Sequence, residues 1–90
     1  MQQRLHAVVH GHVQGVSFRY YTVFTARQLN LTGWVRNKPD STVETIAEGE
    51  RDQLDELIKF LHTGSPSADV TQVATRFDTA TGEFDDFTIR

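Results

Sequence analysis

Short stretches with apolar residues at every second position recur along the chain, and this period of two predicts β-strands. In the first stretch, Leu5–His10, the residues Leu5, Ala7 and Val9 fall on one face of the predicted strand. The later strands are predicted at Gly33–Asn37, Thr42–Glu48 and Val70–Phe77, with a short final one at Phe87–Arg90. The pattern thus predicts a sheet of four main strands and a terminal fragment.

Two other segments have apolar residues at intervals of three and four, which predicts one buried face of an α-helix. The first series consists of Phe18, Thr22, Ala26 and Leu29, and the second of Leu54, Leu57, Ile58 and Leu61. Asn30 is expected to end the first helix in a left-handed conformation, and Gly64 is expected to end the second.

The predicted elements follow the order β-α-β-β-α-β, which is typical of an α+β, ferredoxin-like sandwich. In that fold an antiparallel sheet carries both helices on one face. The chain of 90 residues has room for one domain, 1–90. Lys38–Ser41 is predicted to be a turn. Thr79–Asp86 is predicted to be a polar, hairpin-like loop, with the acidic side chains of Glu83, Asp85 and Asp86 in solvent.

The charge and the amino-acid composition of the chain argue against two classes of partner, nucleic acids and membranes. Twelve acidic residues against nine basic ones give a net charge of −3, which argues against nonspecific nucleic-acid binding. No apolar run is long enough to span a membrane, and no signal peptide is visible at the N-terminus. The chain contains no cysteine, which suits a reducing compartment. We therefore expect a cytoplasmic protein without a membrane or nucleic-acid partner.

The loop Gly11–Ser17 joins a predicted strand to a predicted helix, where unpaired backbone N–H groups and the helix dipole favour an anion. Gly15 allows the backbone to bend there and to approach a ligand. Arg19 falls in the first helical turn, at the end of the dipole that disfavours a cation, and a bound anion would remove this conflict. The alternative is a tight turn with Ser17 as N-cap and a solvated Arg19.

Asn37 ends an apolar strand just before a turn. Its neutral carboxamide could orient a water molecule but could not deprotonate it. The alternative is that Asn37 only initiates the turn, as asparagine often does. The four histidines, His6, His10, His12 and His62, lack the spacing of a zinc site, so no metal site is expected.

Two segments carry a resemblance to a known family. Gly11–Arg19, with the sequence GHVQGVSFR, resembles the first signature of the acylphosphatases. The second signature of the family is resembled by two segments taken together. These are Gly33–Asn37, with the sequence GWVRN, and residues 42–44, with the sequence TVE. The resemblance extends over essentially the whole chain, and the family fold is the ferredoxin-like one. One departure is the turn Asp40-Ser41, which is usually Asp-Gly in the family. Ser41 is strained if this turn keeps a positive φ, and the sequence leaves the conformation of the turn open.

The resemblance implies hydrolysis of acyl phosphates to a carboxylate and inorganic phosphate, without a metal or an organic cofactor. It implies that Arg19 binds the phosphoryl group, assisted by the backbone N–H groups of the four residues Gly15, Val16, Ser17 and Phe18. It implies that Asn37 positions the attacking water. We expect a monomer with a small-molecule substrate and with phosphate as product and inhibitor. The alternatives are a non-catalytic module of this fold that binds an anion or RNA, and a sensor or protein-interaction domain.

Overall fold

The computed structural model describes residues 1–90 and contains five strands and two helices. The elements are β1 (Gln2–His12), α1 (Phe18–Gln28), β2 (Thr32–Asn37), β3 (Val43–Glu50), α2 (Arg51–Thr63), β4 (Asp69–Thr79) and β5 (Phe87–Ile89). The predicted order of elements is confirmed. The largest boundary difference is at β1, which extends beyond its apolar stretch at both ends because its pairing with β3 and β4 continues into polar residues.

The sheet has the strand order β4-β1-β3-β2-β5. Strand β1 is antiparallel to both of its neighbours, β3 and β4, and β2 is antiparallel to β3. The predicted ferredoxin-like fold is therefore confirmed, with one correction to the sheet. The short β5 pairs with β2 in parallel, so the five-stranded sheet is mixed rather than wholly antiparallel.

The segment between β4 and β5 is not the hairpin-like loop that its polar composition predicts. The strands β4 and β5 lie at opposite edges of the sheet, so the segment must cross from one edge to the other. Glu48 of β3 holds it there, because the carboxylate accepts hydrogen bonds from the N–H groups of Thr81 at 2.9 Å and Gly82 at 3.0 Å. The acidic residues of the segment, Glu83, Asp85 and Asp86, are exposed, as predicted, and Glu83 pairs with Arg4.

Glu48 is only 2% exposed and receives a further hydrogen bond from the Arg4 guanidinium at 2.7 Å. Burial by itself raises the pKa of this carboxyl group. The hydrogen bonds from Thr81, Arg4 and Gly82 outweigh it and leave the pKa of Glu48 below its ordinary value. The buried carboxylate therefore stays ionised and links β1, β3 and the crossing segment.

The core lies between the helices and one face of the sheet. Leu5, Ala7 and Val9 of β1 are fully buried there, as the alternation predicts. Both helices end as expected, with Asn30 at φ 58° and Gly64 at φ 68°. Neither helix has the length and apolar character needed to cross a membrane.

Candidate active site

One open cleft, of about 290 Å³, lies where the β1–α1 loop, the end of β2 and the strand β5 come together. Its lining includes Arg19 and Asn37, which are 18 positions apart in the sequence (37 − 19). Gly15, Ser17 and Phe18 of the loop and of the start of α1 line the same cleft. The structure thus brings together the site residues that the sequence predicts, except Val16, whose side chain packs against the core.

The backbone of the loop is bent by two left-handed residues, Gly15 at φ 72° and Ser17 at φ 62°. No atom lies within 4 Å of the point where a Cβ of residue 15 would be, so the backbone is open to the cleft there. The N–H groups of Gly15, Val16 and Ser17 donate to no acceptor within the protein, and helix geometry leaves that of Phe18 unpaired as well. These donors are available to an anion.

The alternative role of Ser17 as a side-chain N-cap is wrong. Ser17 does occupy the position before α1, but its side chain makes no capping hydrogen bond. The left-handed conformation differs from the extended one in which an N-cap hydroxyl reaches the first helical N–H groups. The start of α1 is therefore left without a capping group from its own chain.

Arg19 is unusual among the seven arginines of the chain. Five of them pair with a carboxylate, and Arg90 lies over the rings of Trp34 and Phe84. Arg19 has neither kind of partner, although it is half-buried. The first turn of α1 also contains no acidic residue that would offset its charge near the positive end of the dipole. A cation kept unpaired in a cleft can serve an anionic ligand.

Asn37 is the last residue of β2 and pairs in register with Val43. Its Oδ1 atom is buried and has no hydrogen-bond partner. The turn that follows is instead held by other groups, including the Asp40 carboxylate, which accepts from the Thr42 N–H at 3.1 Å. This argues against the alternative that Asn37 serves to initiate the turn, and the carboxamide of this cleft-lining residue is not used by the fold.

Gln14 is a residue of the site that the sequence reasoning missed. Its Nε2 amide donates to the carbonyl oxygens of Lys38 at 2.8 Å and Thr42 at 2.9 Å. Those two residues are also joined to each other, since the Lys38 N–H donates to the Thr42 oxygen at 2.9 Å. Gln14 therefore ties the β1–α1 loop to the turn after Asn37. A glutamine inside a glycine-containing loop was the available signal, but its partners lie far away in sequence.

Ser41 in the same turn has φ 75°, so the turn keeps the left-handed conformation that the sequence left open. We expect Ser41→Gly to raise the free energy of unfolding by about 0.4–1 kcal/mol, because glycine adopts this conformation without strain. The greater freedom of glycine in the unfolded chain works against this gain. Urea unfolding of the two proteins measures the difference, and a lower midpoint for Ser41→Gly would show that the turn has adapted to serine.

The cleft contains no carboxylate and no imidazole among its lining residues. Elsewhere, no group of three or more His, Cys, Asp or Glu side chains is placed to hold a metal ion. His6 lies on the sheet, where its Nε2 is 2.7 Å from the Glu44 carboxylate. The polar groups available in the cleft are therefore a guanidinium, a carboxamide, the hydroxyl groups of Ser17 and Tyr20, and backbone N–H groups.

The matching family model and the curated relatives agree on one family. The family model described as Acylphosphatase matches residues 5–89. A curated acylphosphatase from Trichormus variabilis is 52% identical over 79 residues, which cover 88% of this chain and 78% of that protein. The crystal structure of acylphosphatase from Bacillus subtilis has a TM-score of 0.94 at 34% identity, covering 100% of this chain and 99% of that one. An acylphosphatase from Coxiella burnetii gives 0.92 at 38% identity, with 99% and 93% covered.

Proposed function

Because the chain belongs to the acylphosphatase family, we propose that its cleft hydrolyses acyl phosphates by direct attack of water on phosphorus. In this proposal the Arg19 guanidinium and the backbone N–H groups of Gly15–Phe18 hold the phosphoryl group. Asn37 holds the attacking water. The family supplies the reaction, and the assignment of these roles rests on the geometry of this chain.

The unpaired Arg19 guanidinium beside unbonded backbone N–H groups is the observation that carries the proposal. The guanidinium offers a planar pair of donors that matches two phosphate oxygens. The N–H groups add donors whose positions are fixed by the backbone and by the start of α1. Such fixed donors stabilise the charge that develops on a phosphoryl group in the transition state.

The proposed step breaks one bond and forms another. The water oxygen bonds to phosphorus while the bond from phosphorus to the acyl oxygen breaks. The carboxylate leaves with the bonding electron pair, and the products are a carboxylate and dihydrogen phosphate. Since a carboxylate is a good leaving group, positioning and charge stabilisation can account for most of the rate enhancement.

Asn37 would act through its side-chain carboxamide, which can form a hydrogen bond with a water molecule in the cleft that it lines. An amide does not take up a proton near neutral pH. The cleft offers no carboxylate or imidazole to do so either. We therefore propose that an oxygen of the substrate phosphate accepts the proton that the water loses.

Benzoyl phosphate provides the test, because its hydrolysis is followed directly by absorbance. The purified protein should hydrolyse it, and inorganic phosphate should inhibit competitively by occupying the same donors. We also propose that no metal ion takes part, because the lining lacks the side chains that bind one. The rate should therefore be unchanged after exhaustive treatment with a chelator.

Absence of hydrolysis above the rate in buffer would overturn the proposed function. A rate that disappears with chelator and returns with magnesium or zinc would overturn the metal-independent mechanism alone. Inhibition by phosphate that is not competitive with benzoyl phosphate would contradict the shared anion site.

A separate prediction concerns Gln14, which fixes the β1–α1 loop relative to the turn after Asn37. Gln14→Met keeps the length of the side chain but removes both hydrogen bonds to the turn, so loop and turn should no longer be fixed relative to each other. We expect a weaker inhibition by phosphate together with a kcat lowered by about tenfold, a loss of roughly 1.4 kcal/mol in transition-state stabilisation.

Gln72→Met is the matched control, because Gln72 is exposed on β4. The carbonyls of Lys38 and Thr42 each keep a backbone partner in Gln14→Met, so the fold should persist with a modest loss of stability. Unchanged phosphate inhibition and unchanged kcat in Gln14→Met would show that the loop holds its position without this link.

A further inference from the structure

Two exposed apolar side chains stand at the mouth of the proposed phosphate site. Tyr20 is 66% exposed and Ile89 is 47% exposed, and both line the same cleft as Arg19 and Asn37. The other apolar residues of the lining, Val13 and Phe18, are almost completely buried in the core. Tyr20 and Ile89 therefore supply most of the apolar surface that a molecule in the cleft can reach.

These two side chains come from different elements. Tyr20 follows Arg19 directly in the first turn of α1, and its ring meets that of Tyr21 edge-on, with centroids 5.8 Å apart. Ile89 belongs to β5 and pairs in register with Val35 of β2, two residues before Asn37. Helix and edge strand thus each place one apolar group beside the residues assigned to phosphate and water.

We propose that Tyr20 and Ile89 form a subsite for the acyl group, which gives the site a preference for aryl acyl phosphates over acetyl phosphate. This inference rests on the proposed function, since it extends the same cleft from the phosphoryl group to its leaving group. An in-line displacement places the leaving carboxylate on the side of phosphorus away from the water. A flat aryl group there covers the tyrosine ring and the isoleucine side chain and removes apolar surface from water.

A second depression on the other side of Tyr20 lies outside the cleft and provides a control residue. Tyr20 also borders a second, smaller depression of about 220 Å³ along α1, which includes Phe24. Phe24 is 56% exposed but does not line the cleft that holds Arg19. It is therefore a matched control, an exposed aromatic residue one helical turn from Tyr20.

The test compares kcat/KM for benzoyl phosphate and acetyl phosphate in the parent protein and in Tyr20→Ala, Ile89→Ala and Phe24→Ala. Tyr20→Ala should lower the value for benzoyl phosphate by about tenfold and that for acetyl phosphate by less than about twofold. Ile89→Ala should change the ratio in the same direction, and Phe24→Ala should leave it unchanged. Tyr20→Phe keeps the ring and should retain the preference, which separates apolar contact from a hydrogen bond of the hydroxyl.

The outcomes separate the subsite from the proposed function. A parent protein that hydrolyses neither substrate overturns the function, and with it the subsite. A parent that hydrolyses both, with equal losses or no loss in Tyr20→Ala, overturns the subsite alone. Phosphate inhibition should be unchanged in Tyr20→Ala, and the melting midpoint of each variant shows that the comparison is made on folded protein. A change of ratio in Phe24→Ala as large as that in Tyr20→Ala would also overturn the assignment.

Discussion

Replacement of Arg19 by lysine is expected to lower kcat/KM for benzoyl phosphate by about 10²–10³-fold while the fold is retained. Lysine keeps the positive charge but offers a compact ammonium on a flexible stem in place of a planar fork. It cannot hold two phosphate oxygens in the same fixed geometry. Steady-state kinetics with benzoyl phosphate measures the loss, and phosphate inhibition should weaken in parallel.

The free energy of unfolding distinguishes phosphate binding by Arg19 from a purely structural role. Arg19 has no carboxylate or aromatic partner to lose, and its charge lies near the positive end of α1. Arg19→Gln is therefore expected to be as stable as the parent, or more stable by about 0.3–1 kcal/mol. Arg76→Lys is the control, since Arg76 is exposed on β4, far along the sheet from α1. Near-complete activity of Arg19→Lys would mean that charge alone suffices, and the two-oxygen contact would be abandoned.

Asn37→Ala is expected to lower kcat by about 10²–10³-fold while inhibition by inorganic phosphate stays nearly constant. The carboxamide is assigned to the water and not to the phosphate, whose donors are Arg19 and the loop N–H groups. Removing it should therefore affect the chemical step and leave phosphate binding in place. Kinetics and phosphate inhibition measured on one preparation give both quantities.

The melting midpoint of Asn37→Ala adds a third readout. The Oδ1 atom is buried without a partner, so the substitution removes no hydrogen bond of the fold and should not lower the midpoint. Gln72→Ala, an exposed change on β4, controls for the loss of a carboxamide in general. If stability and phosphate affinity both drop while kcat at saturation is preserved, Asn37 is a structural residue and its proposed contact with water is wrong.

Local patterns were sufficient for most of the fold. Strand and helix periods depend on which face of a segment is buried, so Leu5, Ala7 and Val9 identify β1 without any knowledge of its partners. Conformations set by single residues were also predictable, as the helix ends at Asn30 and Gly64 show. The loop of the candidate site followed for the same reason, because a strand–helix junction that contains glycine can direct backbone N–H groups to one place. The combination of Asn37 with Arg19 in one site came from the resemblance to the acylphosphatases.

Features that depend on distant pairing were not predictable. The polar segment after β4 has the composition of a hairpin, and only the place of β5 at the opposite edge makes it cross the sheet. The two hydrogen bonds of Gln14 have the same origin, since their acceptors lie 24 and 28 residues away. Ile89 lines the cleft only because β5 pairs with β2. Each of these features depends on a contact between segments that are far apart in the sequence. The spacing of apolar residues within one segment does not predict such a contact.

Unfolding of this protein in acid should take up protons, and the buried carboxylate of Glu48 is one reason. Its pKa lies below the ordinary value of 4.5 in the folded state, because its hydrogen bonds to Thr81, Arg4 and Gly82 outweigh the effect of burial. The stability contributed by such a carboxylate is fully present above pH 4.5 and is lost as the pH falls through the lower folded-state pKa. Below that pH the crossing segment loses the charge that holds it, so solution acidity acts on the fold through a residue outside the cleft.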